Sequence, residues 1–235
     1  MITTQHLLGG APVMSTIPDD ARWLYLFAHG AGAGARHEFM ARMAVALAAQ
    51  KVATIRWEFP YMAQGKKRPD RADVAEEAVR TTWRALRAGD VLGERADEIR
   101  ASLALLPIFA GGKSFGGRMT SRAYAWTLGG LPGLAGLVFL GFPLYGAGQE
   151  PSTTRADHLA RVKVPMLFVQ GSRDELADLA YMRPMVGKLG ERATLHVVDG
   201  ADHGFSRRDV YTEIATTIAT WMDRSECSGG APFGS

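Results

Sequence analysis

Three short glycine-bearing segments carry the side chains suited to covalent chemistry: Gly112-Lys113-Ser114-Phe115-Gly116, Gly171-Ser172-Arg173-Asp174 and Gly200-Ala201-Asp202-His203-Gly204-Phe205. A serine hydroxyl is a weak nucleophile at neutral pH. It needs a base to take its proton and an acid to hold that base in the right tautomer. In chain order the segments supply a hydroxyl, a carboxylate and an imidazole, so acyl transfer is the chemistry they suggest. The first fits G-x-S-x-G, in which the glycines let a strand and a helix pass closely while the serine between them points out of the fold. A serine there also stands at a helix N-terminus, where free N–H groups favour developing negative charge. The plainer reading of Ser114 is a helix cap.

Other residues compete for these roles. Asp178, Asp199 and Asp202 rival Asp174 as the acid. Among the six histidines, only His203 stands on a glycine-flanked loop after an apolar run with an acid upstream. His29 reads as orienting its own loop, His37 and His158 as solvated, and His196 as structural within a strand. The segment from Gly30 to Ala35 fits G-x-G-x-x-G/A and is followed by Glu58, which suggests a dinucleotide cradle in which the acid takes the ribose hydroxyls. Gly112-Lys113-Ser114 ends like a phosphate-binding loop, but that motif needs a glycine at position 107, which is Pro107. No His and Cys cluster has metal-ligand spacing, and the single cysteine, Cys227, is near the terminus.

These segments need a scaffold that brings them together, and the hydrophobic pattern predicts one. Short apolar runs at Trp23–Ala28, 52–59, 107–110, Leu134–Leu140, 164–170 and 193–199 alternate with stretches of helical period at 36–50, 71–88, 114–126 and 208–222. Such alternation is the pattern of a parallel sheet covered by crossover helices. In the helix over 71–88, Val74, Ala78, Val79, Thr82, Ala85 and Leu86 draw an apolar stripe, with Glu76 and Arg80 expected on the wet side. Each chemical segment follows directly after an apolar run, so all three are expected at the carboxyl ends of strands.

Composition sets the outer limits. With 235 residues, 47% of them hydrophobic and 22% charged, the chain is long enough for one well-filled core, and disordered or fibrous classes are excluded. Basic residues exceed acidic ones by 27 to 24 and are interleaved with them, which argues against a nucleic-acid face. One cysteine allows no internal disulfide. The start of the chain lacks the basic-then-apolar pattern of a signal peptide, and the longest apolar stretch, 131–145, is broken by prolines and glycines and too short to span a bilayer. The expectation is a soluble cytoplasmic protein of one domain over residues 1–223, followed by a flexible tail at 224–235, without membrane or nucleic-acid partners.

Taken together, the His29-Gly30 pair, the serine pentapeptide, the Gly-x-x-Asp at Asp174 and the Asp-His-Gly-Phe from Asp202 resemble the α/β-hydrolases, in particular the small cap-less members grouped with dienelactone hydrolase. The resemblance covers roughly residues 20 to 222 and rests on four spaced motifs. It implies an α/β fold with a mostly parallel, twisted eight-strand sheet flanked by helices on both faces and no large lid. It further implies Ser114 as nucleophile, His203 as general base and then acid, Asp174 as the acid that orients it, and an oxyanion hole from the N–H groups of Ala31 and Phe115. The Gly30–Ala35 loop is then glycine-rich so that its backbone can approach the substrate. One departure is that dienelactone hydrolase carries cysteine where this chain has Ser114, so an ester-type substrate is expected rather than that lactone.

About two dozen residues separate the strands ending at Leu140 and starting at Val164, too few for a helical lid. An open pocket is expected, walled by Tyr61, Met62, Phe115, Phe142, Leu144, Tyr145 and Phe205. Lys66, Lys67 and Arg68 read as a solvated loop, or else as a guide for an anionic substrate group. The leading expectation is a serine hydrolase acting on a small-molecule acyl substrate, with no cofactor and no metal. Its rivals are a nicotinamide- or flavin-dependent oxidoreductase using the Gly30–Ala35 loop and a non-catalytic binding protein with a hydrolase fold.

Overall fold

The computed structural model describes residues 1–8, 10–91, 103, 105–207 and 210–228. Each apolar run in the sequence becomes a strand, and those of the central strands are buried on both faces, whereas the last, at the sheet edge, is only partly buried. Strands β1 (Ile2–Leu8), β2 (Ala11–Ile17), β3 (Trp23–Ala28), β4 (Val52–Trp57), β5 (Ile108–Lys113), β6 (Leu134–Leu140), β7 (Met166–Gly171) and β8 (Ala193–Val198) form one eight-stranded sheet in the order β1-β2-β4-β3-β5-β6-β7-β8. β1, β2 and β4 pair antiparallel, and every other neighbouring pair is parallel. The expected fold class is therefore the observed one.

Helices α1 (Glu38–Ala49), α2 (Pro60–Ala63), α3 (Ala72–Ala88), α4 (Phe115–Ala125), α5 (Leu179–Lys188) and α6 (Val210–Ser228) connect and cover the strands. The period-2 alternation of β3 divides the core. Leu24, Leu26 and Ala28 face α3 and α4 through Val79, Trp83, Met119 and Ala123, whereas Trp23, Tyr25 and Phe27 face α1 and α6 through Met43, Leu47, Ile214 and Ile218. Each such side chain withdrawn from water contributes about 1.5–3 kcal/mol before conformational entropy is charged against it. Within that β3 row the Tyr25 hydroxyl donates to the Val138 carbonyl at 3.0 Å.

Several expectations shift. β5 runs on through Gly111 and Gly112 to Lys113, so the turn before α4 is confined to Ser114. The buried stripe of α3 is Ala75, Glu76, Val79, Thr82, Trp83 and Leu86, which keeps Val79, Thr82 and Leu86 of the expected stripe and takes Ala75, Glu76 and Trp83 in place of Val74, Ala78 and Ala85. Val74 is left 44% exposed. Trp83, the largest side chain on that helix, fixes the phase by facing the sheet. Glu76 accordingly leaves the wet side and pairs with Arg122 of α4 at 2.6 Å, while Arg80 pairs with Glu77. α6 continues to Ser228, past the expected helix end at residue 222. The β1–β2 hairpin, its turn passing through Gly10 at φ 85°, was not among the expected elements. Among the described residues no helix is long and apolar enough to cross a membrane.

Candidate active site

The carboxyl ends of β3, β5, β7 and β8 lie along one rim of the sheet, and the loops leaving them carry the three chemical segments. Ser114 leaves β5 at φ 48° and ψ −113°, a backbone state that costs about 1–3 kcal/mol for a residue with a Cβ. Its N–H donates to the Leu140 carbonyl at 3.0 Å, and its own carbonyl accepts from Arg118 N–H as α4 begins. The glycines on either side stand where no side chain fits. A Cβ on Gly112 would lie 2.2 Å from the Ala28 carbonyl oxygen, and one on Gly116 would lie 2.5 Å from that of His29.

Ser114 Oγ lies 2.8 Å from His203 Nε2. On the other side of the ring, Nδ1 is 2.9 and 2.8 Å from the two carboxylate oxygens of Asp174. Asp174's carboxylate is fully buried, whereas the His203 ring keeps 17% of its surface exposed. Two further donors satisfy the acid: the Leu176 N–H at 2.8 Å and the Gln170 side-chain amide. Gln170, itself fully buried, accepts from the Phe142 N–H at 2.9 Å through its other amide atom. It thus ties the acid to the loop after β6. Sequence reading passed over it; the available signal was a lone amide ending an apolar strand four residues before the acid.

The rival acids are engaged elsewhere. Asp178 caps α5 through the Ala180 N–H, Asp199 accepts from Ser172, and Asp202 accepts from Ser206 N–H and hydroxyl. A second serine–histidine contact, Ser121 Oγ to His158 Nε2 at 2.8 Å, is sealed in the core beside Arg118 and Arg122. His158 is therefore not solvated, because the 3-10 helix Thr154–Arg161 turns it inward against α4.

The loop after β3 is braced from two sides. His29, fully buried, accepts the Phe59 N–H at Nε2 and so carries its proton on Nδ1, which donates to the Gly30 carbonyl at 2.7 Å. The Tyr61 hydroxyl donates to the Ala31 carbonyl at 2.8 Å. Among the described residues neither Ala31 nor Phe115 spends its own N–H on a protein acceptor. Glu58 lies against the same loop, its carboxylate oxygen 2.5 Å from where a Cβ on Gly34 would stand. The acid expected to meet a ribose instead occupies the loop's own space.

A cavity of about 340 Å³ opens against Ser114 and His203, lined mainly by Gly30, Ala31, Ala33, Phe39, Met40 and Leu176. Its surface is largely apolar. The expected walls are placed differently: Tyr61, Leu144 and Phe205 are 0% exposed and Phe142 1%, all packed in the core. Tyr145 is also buried and accepts the Asp178 N–H with its hydroxyl. Met62 is half-buried beside Gly34. These side chains were read as walls because their loops reach the rim, but all except Met62 turn down into the core. Lys66, Lys67 and Arg68 are exposed.

Burial holds His29 at a pKa of about 4 and His158 at about 3, both below the ordinary value of 6.5. Each binds a proton more readily when unfolded, so its contribution is complete above pH 6.5 and is lost as pH falls toward those folded values. The loss is on the order of 3 kcal/mol for His29 over that window. The melting temperature is expected to fall by about 10 °C between pH 7.5 and pH 5, before most carboxylates titrate. A flat profile over that range, read by differential scanning calorimetry, would contradict neutral burial of both rings.

The chain was compared with known proteins. The dienelactone hydrolase from Anabaena variabilis is 20% identical, with 94% of this chain and 98% of that one covered and a TM-score of 0.69. A serine α/β-hydrolase without a lid from Xanthomonas campestris is 18% identical over 98% of this chain and 97% of that one, at a TM-score of 0.64. A cold-adapted esterase from an Arctic intertidal metagenomic library is 19% identical over 95% and 92%, at 0.62. At such identities these likenesses establish the fold. A family model described as an alpha/beta hydrolase domain matches residues 21–224, and with that match across most of its length the chain belongs to the alpha/beta hydrolase family.

Proposed function

We propose that the protein is a serine hydrolase that cleaves a small carboxylic ester or related acyl bond through an acyl-enzyme on Ser114. The observation that carries this reading is the continuous chain of contacts from Ser114 Oγ through His203 to the buried Asp174. In it, His203 Nε2 takes the hydroxyl proton as Oγ attacks the acyl carbon. The carbonyl oxygen gains the negative charge, and the uncommitted N–H groups of Ala31 and Phe115 stabilise it. The imidazolium then gives its proton to the departing alcohol. Water, activated by the same nitrogen, releases the acid and restores the serine. Asp174 keeps the proton of neutral His203 on Nδ1, which leaves Nε2 free to accept.

The substrate is proposed to be small, because the apolar cavity is about 340 Å³ and the segment between β6 and β7 is folded back onto the body. There Leu144 and Tyr145 N–H both donate to the Leu176 carbonyl. Incubation with a fluorophosphonate probe followed by peptide mapping tests the reading. The expected adduct is on Ser114, within minutes and at stoichiometric yield. Folded protein that leaves Ser114 unmodified while it is exposed to excess probe would refute the nucleophile assignment.

A further inference from the structure

The proposed reaction makes no use of Lys113, yet this residue is the most unusual charge near the site. It ends β5 immediately before Ser114, is only 9% exposed, and lines the cavity with Ser114 and His203. Among the described residues its ammonium has no ion-pair or hydrogen-bond partner. Instead it sits 5.5 Å from the ring centre of Phe205 and 6.0 Å from that of Phe39, whose π-faces attract a cation weakly. A Cβ built on Gly141 would stand 3.1 Å from Lys113 Nζ, 3.4 Å from Asp174 Oδ2 and 3.4 Å from His203 Nδ1. The three atoms therefore surround one point, and the ammonium lies beyond contact but within about 6.5 Å of both members of the pair. That range is short enough for a poorly screened charge to be felt.

We infer that Lys113 is a positioning residue of the triad, whose positive charge behind the Asp174–His203 pair holds the carboxyl ionised and keeps His203 unprotonated, ready to accept the Ser114 proton. The inference rests on reading Ser114, His203 and Asp174 as the working triad. Its physical basis is that a cation favours the neighbouring anion and disfavours a second cation, here the imidazolium. The groups that face the ammonium are Asp174 and Glu175 from the loop after β7, and Asp202 and His203 from the loop after β8. α1 presents the uncharged Phe39. Burial lowers the lysine's own pKa to about 8, so the charge is present at neutral pH and disappears above pH 8.

At such a range, with an effective dielectric between that of the protein surface and water, one charge moves a neighbouring pKa by about one unit. The test is a nitrogen-15 NMR titration of the His203 ring in the wild-type protein, K113M and K113R. The His203 pKa is expected to rise by about one unit in K113M and to stay near the wild-type value in K113R. The acidic limb of kcat/KM should move upward by the same amount in K113M. A lysine that serves packing alone would leave both the limb and the ring titration unmoved. A folded K113M whose His203 titrates as in wild type would overturn the inference.

The wild-type protein gives a second arm that needs no variant. Its His203 ring signals should carry a further, smaller inflection near pH 8 as Lys113 loses its proton, and the absence of that inflection would count equally against the inference. Neither NMR measurement requires turnover. A failure of the triad reading, seen as absent labelling at Ser114, is thus separable from a failure of the lysine's role.

Discussion

Ser114→Ala is expected to lower kcat for a p-nitrophenyl ester by about 10⁵-fold or more, while the melting temperature stays within a few degrees of wild type. The loss is large because in the proposed mechanism the serine forms the covalent bond. Without it, His203 and Asp174 have no proton to relay, and what remains is acceleration by the oxyanion donors acting on an attacking water. Stability is spared because the hydroxyl's hydrogen bond is with His203 at a partly exposed site. The φ of 48° is borne by alanine no worse than by serine. The measurement is steady-state hydrolysis beside a thermal melt of the same preparation. A variant that retains a tenth of the wild-type kcat would remove Ser114 from the mechanism.

The second large effect is structural. Gly112→Ala should prevent folding or cost more than about 4 kcal/mol, because its Cβ would sit 2.2 Å from the Ala28 carbonyl oxygen, well inside van der Waals contact. Gly112 and Ala28 are paired across the parallel ladder between β5 and β3. Relief of the clash requires the two central strands to part, and the loops after them carry Ser114 and the Ala31 N–H. No flexible side chain stands there to yield. Soluble yield and urea denaturation report the outcome; a Gly112→Ala protein with a wild-type midpoint would show that the strands approach less closely than described. The same close approach explains why the pentapeptide needs glycine at both ends, since Gly116 presses on the carbonyls of His29 and Ala28.

Much of this was legible in the chain. β3 and β6 appear with the bounds their apolar runs predict, because a strand buried on both faces must be apolar throughout. α3 also appears where its period places it, but its phase was misread. A 3.6-residue period fixes spacing, and which of several apolar residues turns inward depends on what the opposite surface receives. Here it receives Trp83, and Glu76 finds Arg122. The β1–β2 hairpin had a readable signal in Gly9-Gly10, but its strands mix polar and apolar residues and so lack the continuous apolar run that marked the central strands.

The site divides in the same way. Ser114, His203 and Asp174 were named from glycine-bearing loops that follow strands, since a parallel sheet delivers all such loops to one rim. Residue type and chain order therefore determined the fold class and singled out Ser114 and His203 as the candidate hydroxyl and imidazole. Asp174 was already preferred over Asp178, Asp199 and Asp202 for its Gly-x-x-Asp pattern after an apolar run, and the tertiary structure sets its carboxylate against His203 while the other three hold donors of their own. The tertiary structure also decided the burial of Tyr61, Phe142, Leu144 and Phe205, the bracing by Gln170 and the seat of Lys113 behind the dyad. Chain order fixes which loops share a rim, but the direction in which a side chain leaves its loop depends on packing against residues distant in sequence, and local pattern carries no record of that.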